Sequence, residues 1–303
     1  LKAFLCDIIN LSNFNLRRKM MKGIEIDAYA KINLSLDVLY RRKDGYHEIN
    51  TIMQQINLKD TLVISDLEEG IVIECSHPEV PLDSSNLVYK AWMGLKEKFN
   101  IDRGVRIIIN KNIPVAAGLA GGSTDAAATL KGLNELWGLN LTEEELMDIG
   151  ATIGADVPFC IMGGTALAQG IGEKLTKLSS FSGKLVLVAN PGISVSSAHV
   201  YKNLRLERLS ERPDTDSLIK SIEEDDLNFL AQNMVNVLEQ VTLEECSIVK
   251  DIKEQMKRLG ALGSLMSGSG STVFGIFDNM ETLERCKNEL ENNVKVLIST
   301  KTI

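Results

Sequence analysis

Pro114-Val115-Ala116-Ala117-Gly118-Leu119-Ala120-Gly121-Gly122-Ser123-Thr124-Asp125 joins an apolar strand pattern, Val105 to Asn110, to an alanine-rich helical pattern, Thr124 to Leu136. Three glycines stand just ahead of the helix start. Backbone N–H groups can converge there on an anion, and the helix N-terminus adds partial positive charge. Gly121 and Gly122 are expected to let the backbone approach a phosphate closely and to take positive φ. Ser123 and Thr124 add hydroxyl donors, and one of them could hold magnesium. The magnesium ligand itself stays unassigned, with Ser123 as a candidate. A tight turn with a hydroxyl N-cap would explain the same residues, but glycines, hydroxyls and helix start coincide, which favours a phosphate cradle.

Working outward, the chain from Ile24 has period two: Ile32, Leu34, Leu36 and Val38 fall on one face, Lys31, Asn33, Ser35 and Asp37 on the other. Lys31 and Asn33 therefore project together. Strands are expected at Thr61 to Ile64 and Ile71 to Cys75, and a helix over Asn86 to Phe99. Thr142 and Glu145 form a capping box for the helix that follows. The turn Gly154-Ala155-Asp156-Val157-Pro158 then interrupts the helical pattern, and Lys184 to Ala189 reads as a strand ending at Asn190-Pro191-Gly192, a boundary signal. Beyond it the pattern predicts helices near Ser196 to Leu204, Ser217 to Gln240, Leu243 to Leu259 and Glu281 to Asn292. A strand pair is expected around Ser267 to Ser271 and a last strand at Val294 to Ser299.

The chain has 303 residues, 41 acidic against 33 basic, for a formal charge of -8. That balance argues against nucleic acid as partner, since phosphate-backbone binding needs a concentrated basic face. Five scattered cysteines without CxxC pairs suit a reduced, cytoplasmic compartment. No apolar run approaches the roughly 20 residues that span a bilayer. Residues 1–20, with Asp7 and Asn10 inside their apolar stretch and Met20-Met21 at their end, read as an extension outside the fold rather than as a signal peptide.

No G-x-x-x-x-G-K-[S/T] occurs, nor the H-R-D and D-F-G pair of protein kinases. Gly268-Ser269-Gly270-Ser271-Thr272-Val273 breaks the dinucleotide fingerprint at its last position. Phosphoryl transfer to an alcohol needs a carboxylate near the attacking hydroxyl and a cation near the transferred group. Asp156 and Lys31 can supply them, although singly each has a plainer reading, as a turn residue and a solvated lysine.

Taken together, Ala30-Lys31-Ile32-Asn33-Leu34, the loop from Pro114, Gly154-Ala155-Asp156-Val157-Pro158 and Leu265-Met266-Ser267-Gly268-Ser269-Gly270-Ser271 resemble, in order and spacing, the GHMP kinases. The resemblance covers about Ile24 to Ile298. It implies an α+β fold of two domains: an N-terminal ATP-binding domain like domain 2 of ribosomal protein S5, over 21–183, and a C-terminal domain with a ferredoxin-like core, over 184–303. It also implies ATP as phosphoryl donor with Mg2+, Asp156 as base and Lys31 beside it. The loop residues Pro114, Val115, Ala116, Ala117, Gly118, Leu119, Ala120, Gly121, Gly122, Ser123 and Thr124 would bind ATP, with Asn86 near the adenine. Ala120 stands where many relatives have glycine, so it must hold a torsion that a residue with a Cβ tolerates.

Arg42-Lys43-Asp44-Gly45-Tyr46-His47 is similar to the substrate segment of the branch that phosphorylates the 2-hydroxyl of a cytidine-diphosphate-linked methylerythritol, on a route to isoprenoid precursors. That likeness implies Asn33 as a substrate contact, Tyr46 and Tyr201 as walls for the cytosine, His47 at its edge, and Ser267 and Gly268 in a second glycine loop on the substrate side. Two readings compete: a GHMP kinase for mevalonate or homoserine, and a nucleotide sensor that has lost turnover. The first leaves Tyr46, His47 and Tyr201 without a role, and the second does not explain why both Asp156 and Lys31 are present. The protein is expected to be a monomer or homodimer that acts on a small molecule and needs no membrane.

Overall fold

A computed structural model describes residues 23–303; the extension expected over residues 1–20 lies outside them. Two long antiparallel strands, β1 (Ile24–Arg41) and β2 (His47–Leu67), open the fold and pair from Ile24 with Ile64 to Arg41 with His47. The first half of β2 was not anticipated because Gln54, Gln55 and Lys59 break its alternation. β3 (Ile71–Cys75), α1 (Leu87–Phe99) and β4 (Gly104–Asn110) follow, and the helical crossover lets β3 and β4 lie parallel. Next come α2 (Gly121–Trp137), α3 (Glu143–Ile153), α4 (Val157–Met162), β5 (Thr165–Gly170) and β6 (Lys174–Lys177). β2 is long enough to pair with β4 over its second half and with β5 over its first. Helices α1 to α4 bury this sheet through Trp92, Leu95, Leu130, Leu133 and Ile149 against Ile64 and Ile107.

The expected capping box is formed: the Glu145 N–H donates to Thr142 Oγ1 at 3.2 Å and the Thr142 N–H to the Glu145 carboxylate at 2.8 Å. Thr142→Ala should cost about 1 kcal/mol, lowering the melting temperature by about 2 °C with turnover unchanged. A melting temperature equal to wild type would show that the cap contributes nothing.

The second sheet holds β7 (Leu185–Asn190), β8 (Gly263–Met266), β9 (Val273–Phe277) and β10 (Val296–Lys301) in the order β10-β7-β9-β8, every pair antiparallel. Between β7 and β8 run α5 (Ser197–Asn203), α6 (Thr215–Glu223), α7 (Leu227–Asn233), α8 (Glu239–Glu245) and α9 (Ser247–Arg258); α10 (Met280–Leu290) connects β9 to β10. Helical segment, hairpin, helix and strand in that strand order make a ferredoxin-like core. β7 is an inner strand of this sheet, so the Asn190-Pro191-Gly192 turn ends a strand within the second unit and does not separate the two.

The single helix expected over Ser217 to Gln240 is three pieces. Asp225 takes φ 54°, and Asp226 starts a new helix by accepting the Phe229 N–H at 2.9 Å. After α7 the chain is drawn out against β1, where the Leu36 N–H donates to Val235 O and the Val237 N–H to Leu36 O, both at 2.9 Å. Pairing with a distant strand satisfies the backbone better there than another helical turn. Ile32, Leu34, Ile52, Phe181, Val186, Phe274 and Ile276 form one cluster that joins the two sheets. Among the described residues no helix is long and apolar enough to cross a membrane.

Candidate active site

The face of β1 read as polar is as buried as the apolar one, which packs on the second unit through Ile32, Leu34, Leu36 and Val38. Lys31 is 4 % exposed. Its Nζ donates to Asn33 Oδ1 at 2.8 Å and to Gly118 O at 3.0 Å, and stands 4.0 Å from Asp156 Oδ2. The Lys31 N–H also donates to Leu119 O at 3.2 Å, so strand and glycine loop are stitched twice. Asn33 is held in turn by its Nδ2, which donates to Thr51 Oγ1 at 2.9 Å. Asp156 precedes α4 but its side chain caps nothing, and its carboxylate keeps 33 % of its surface open. A cation fixed by two acceptors thus faces an uncommitted carboxylate.

Both border a cavity of about 510 Å³, with the loop from Ala116 to Ser123, the backbone of Gly268 to Gly270, and Tyr201. At its floor α2 begins without a side-chain cap, which leaves the amides of Gly121, Gly122 and Ser123 open to an anion. The left-handed torsions sit elsewhere than expected. Gly121 and Gly122 are ordinary first-turn helical residues, while Ala116, Gly118 and Ala120 take φ of 52°, 76° and 58°. Ala120 holds that torsion despite its Cβ, as required, at a cost of about 1–2 kcal/mol. At Gly118 no side chain fits, since a Cβ would stand 2.2 Å from Ser267 O.

Three residues expected at the ligands have their side chains engaged elsewhere. The Thr124 hydroxyl donates to Tyr29 O at 2.7 Å and ties α2 to β1, away from the cavity. Leu119 packs its side chain into the core between the sheets. Ser267, fully buried, donates its hydroxyl to Gly118 O at 2.9 Å, so it joins the two glycine loops to each other. Ser123 lines the cavity instead, and no protein partner for its hydroxyl is found among the described residues.

Pro114, Val115 and Asn86 border a second cavity of about 180 Å³, which shares Leu87, Ala116, Gly121 and Gly122 with the first. Asn86 spends both ends of its amide internally: Oδ1 accepts the Val88 N–H at 2.9 Å as N-cap of α1, and Nδ2 donates to Pro81 O at 2.6 Å. It shapes this cavity with one internal hydrogen bond at each end of its amide.

On the substrate side, the rings of His47 and Tyr201 stack with centroids 5.2 Å apart, while Tyr46 is 61 % exposed on the hairpin. The expected walls, Tyr46 and Tyr201, are therefore not the rings that meet. Burial, with Arg41 close by, lowers the His47 pKa and favours the neutral ring. Burial and the Asp156 carboxylate raise that of the Tyr201 hydroxyl.

Periodicity gave no signal for the support beneath the loop. Lys111 Nζ, almost fully buried, donates to Asp125 Oδ2 at 2.6 Å and to Asp60, which also accepts the Ile113 N–H at 2.8 Å. Among the described residues Asp125 Oδ1 has no hydrogen-bond partner. Burial in this pair of carboxylates raises the Asp125 pKa to about 8.

Comparison with known proteins bears on the family and the fold. The GHMP kinases N terminal domain matches residues 86–164 and the GHMP kinases C terminal domain residues 218–296. The 4-diphosphocytidyl-2-C-methyl-D-erythritol kinase of Acetivibrio thermocellus is 54% identical over 283 residues, covering 93% of this chain and all of the relative. That of Clostridium botulinum (strain Alaska E43 / Type E3) is 49% identical over 280 residues, covering 92% of this chain and all of the relative. A crystal structure of 4-(cytidine 5'-diphospho)-2C-methyl-D-erythritol kinase superposes with TM-score 0.79 at 32% identity, covering 92% of this chain and 99% of that one. Homoserine kinase from Cytophaga hutchinsonii, at TM-score 0.73 and 18% identity over 94% of this chain and 95% of its own, shares the fold.

Proposed function

This chain belongs to the 4-diphosphocytidyl-2-C-methyl-D-erythritol kinases, within the GHMP kinases, and from that membership we propose how its residues divide the work of the reaction. It transfers the γ-phosphoryl group of ATP to the 2-hydroxyl of 4-diphosphocytidyl-2-C-methyl-D-erythritol, giving the 2-phosphate and ADP, in the methylerythritol phosphate route to isoprenoid precursors.

The observation that carries the assignment of roles is the Lys31–Asp156 pair, 4.0 Å apart above an uncapped helix start. The triphosphate lies along the amides of Gly121 to Ser123, and the adenine enters the smaller cavity beside Val115 and Leu87. Asp156 accepts the proton of the 2-hydroxyl as its oxygen bonds to the γ-phosphorus, while the bond to the β-phosphate oxygen breaks and ADP leaves. Lys31 offsets charge on the transferred group, and its bonds to Asn33 and Gly118 keep it in place without reorganisation. Magnesium fits as a companion of the nucleotide: Ser123, which lines the cavity, would help to hold it, and when bound it would neutralise phosphate charge. The reading includes a cytoplasmic location and a small-molecule acceptor that carries a cytidine diphosphate group.

Cytosine stacks against Tyr201, with one nitrogen of the neutral His47 imidazole at its edge, and Tyr46 closes from the hairpin. Stacking of a base on an aromatic ring contributes about 1–3 kcal/mol, so Tyr201→Ala should raise KM for the cytidyl substrate by about tenfold to a hundredfold. KM for ATP should stay within twofold, and a parallel rise in both would remove Tyr201 from the cytidine site. The assignment as a whole is tested by ADP release with three alcohols. Turnover with the cytidyl substrate, and little with mevalonate or homoserine, is expected; preference for either of the latter would refute it.

A further inference from the structure

Asn236 lies in the extended segment that α7 releases onto β1, and it is 3 % exposed. Its Nδ2 donates to Met266 O at 2.8 Å and to Gly268 O at 2.7 Å, while its Oδ1 accepts the Leu238 N–H at 3.0 Å. Neighbours on the same stretch hold the rest of the second glycine loop. Glu239 Oε1 accepts the Met266 N–H at 2.9 Å, and Thr242 Oγ1 donates to Ser269 O at 3.0 Å. The loop's carbonyls are thereby drawn toward 236–242. Among the described residues the amides of Gly268 and Ser269 donate to no protein acceptor, and both residues border the larger cavity. A Cβ at Gly268 would come within 3.6 Å of Lys31 Nζ, so this backbone lies over the proposed catalytic cation.

We propose that Asn236 is a positioning residue, holding the Gly268 and Ser269 amides against the phosphoryl group in flight, opposite the first glycine loop. The same segment grips Leu36, five residues along β1 from Lys31. One side chain therefore sets the distance between the cation and the second pair of amides. Such amides act on charge that develops during transfer, so their displacement should be felt in turnover more than in nucleotide binding. The inference rests on the kinase reading.

The test compares wild type with Asn236→Ala in the full chain, using the cytidyl substrate with ATP, and titrates each with a non-hydrolysable ATP analogue. Loss of three hydrogen bonds, two of them to the second glycine loop, should lower kcat by about tenfold to a hundredfold, with analogue affinity within about threefold of wild type. A melting temperature that falls while kcat of the folded enzyme stays at wild type would overturn the proposal, because a purely structural residue would behave so. Thr242→Val, nearly isosteric, covers the case in which Asn236→Ala does not fold. It removes only the bond to Ser269 O and should lower kcat by about threefold to tenfold; wild-type kcat in that variant also overturns the proposal. Wild-type turnover alongside unaffected variants refutes the positioning role alone, whereas absence of wild-type turnover refutes the kinase reading.

Discussion

Asp156→Asn is expected to lower kcat by about two to four orders of magnitude, the range for loss of a general base, with fold and ATP affinity retained. The variant separates chemistry from structure cleanly. The Asp156 side chain caps no helix amide, and asparagine is as good a residue before a helix in any case. Among the described residues the one charged group close to the carboxylate is Lys31, at 4.0 Å, and Lys31 keeps its bonds to Asn33 and Gly118 when the carboxylate becomes an amide. Single-turnover rates at saturating nucleotide, with a melting curve and an analogue titration, read the three quantities separately. A rate within threefold of wild type would take Asp156 out of the mechanism.

Lys31→Met should lower kcat by about a hundredfold to a thousandfold, the loss found when one preorganised electrostatic donor is removed. It should also destabilise the fold, because Asn33 Oδ1 loses its donor in a buried setting, at a cost of about 1–3 kcal/mol. Gly118 O is less affected, since the Ser267 hydroxyl still donates to it. Methionine fills the space of the lysine stem, so the cavity closes no differently. A lowered melting temperature with wild-type turnover would make Lys31 a structural tie between β1 and the glycine loop and nothing more.

The comparison of β1 with the second glycine loop shows which parts of the site could be read from the chain. Lys31 and Asn33 were placed together by a period of two, and the structure joins them by a hydrogen bond. The capping box at Thr142 is a local matter, decided within a few residues, and was legible for that reason, whereas the helix expected from Thr124 begins three residues earlier, at Gly121. Thr124 and Ser123 were not separable, because adjacent hydroxyls on a helix differ only in what lies across from them. Asn236 was invisible: an asparagine inside an expected helix carries no sign that a strand 200 residues earlier will unwind it.

By itself, then, the sequence determined the order of motifs, the glycine-rich approach to a helix, and the residue types available for phosphoryl transfer, since each depends on backbone geometry and periodicity over short range. Tertiary structure alone decided that the polar face of β1 is buried, that Ser267 and Thr124 act as ties, that Tyr201 meets His47, and that Asn236 holds the second loop. Those outcomes depend on how two sheets close over one apolar cluster. The partner of a buried polar atom is set by whichever distant group packing brings within hydrogen-bond reach.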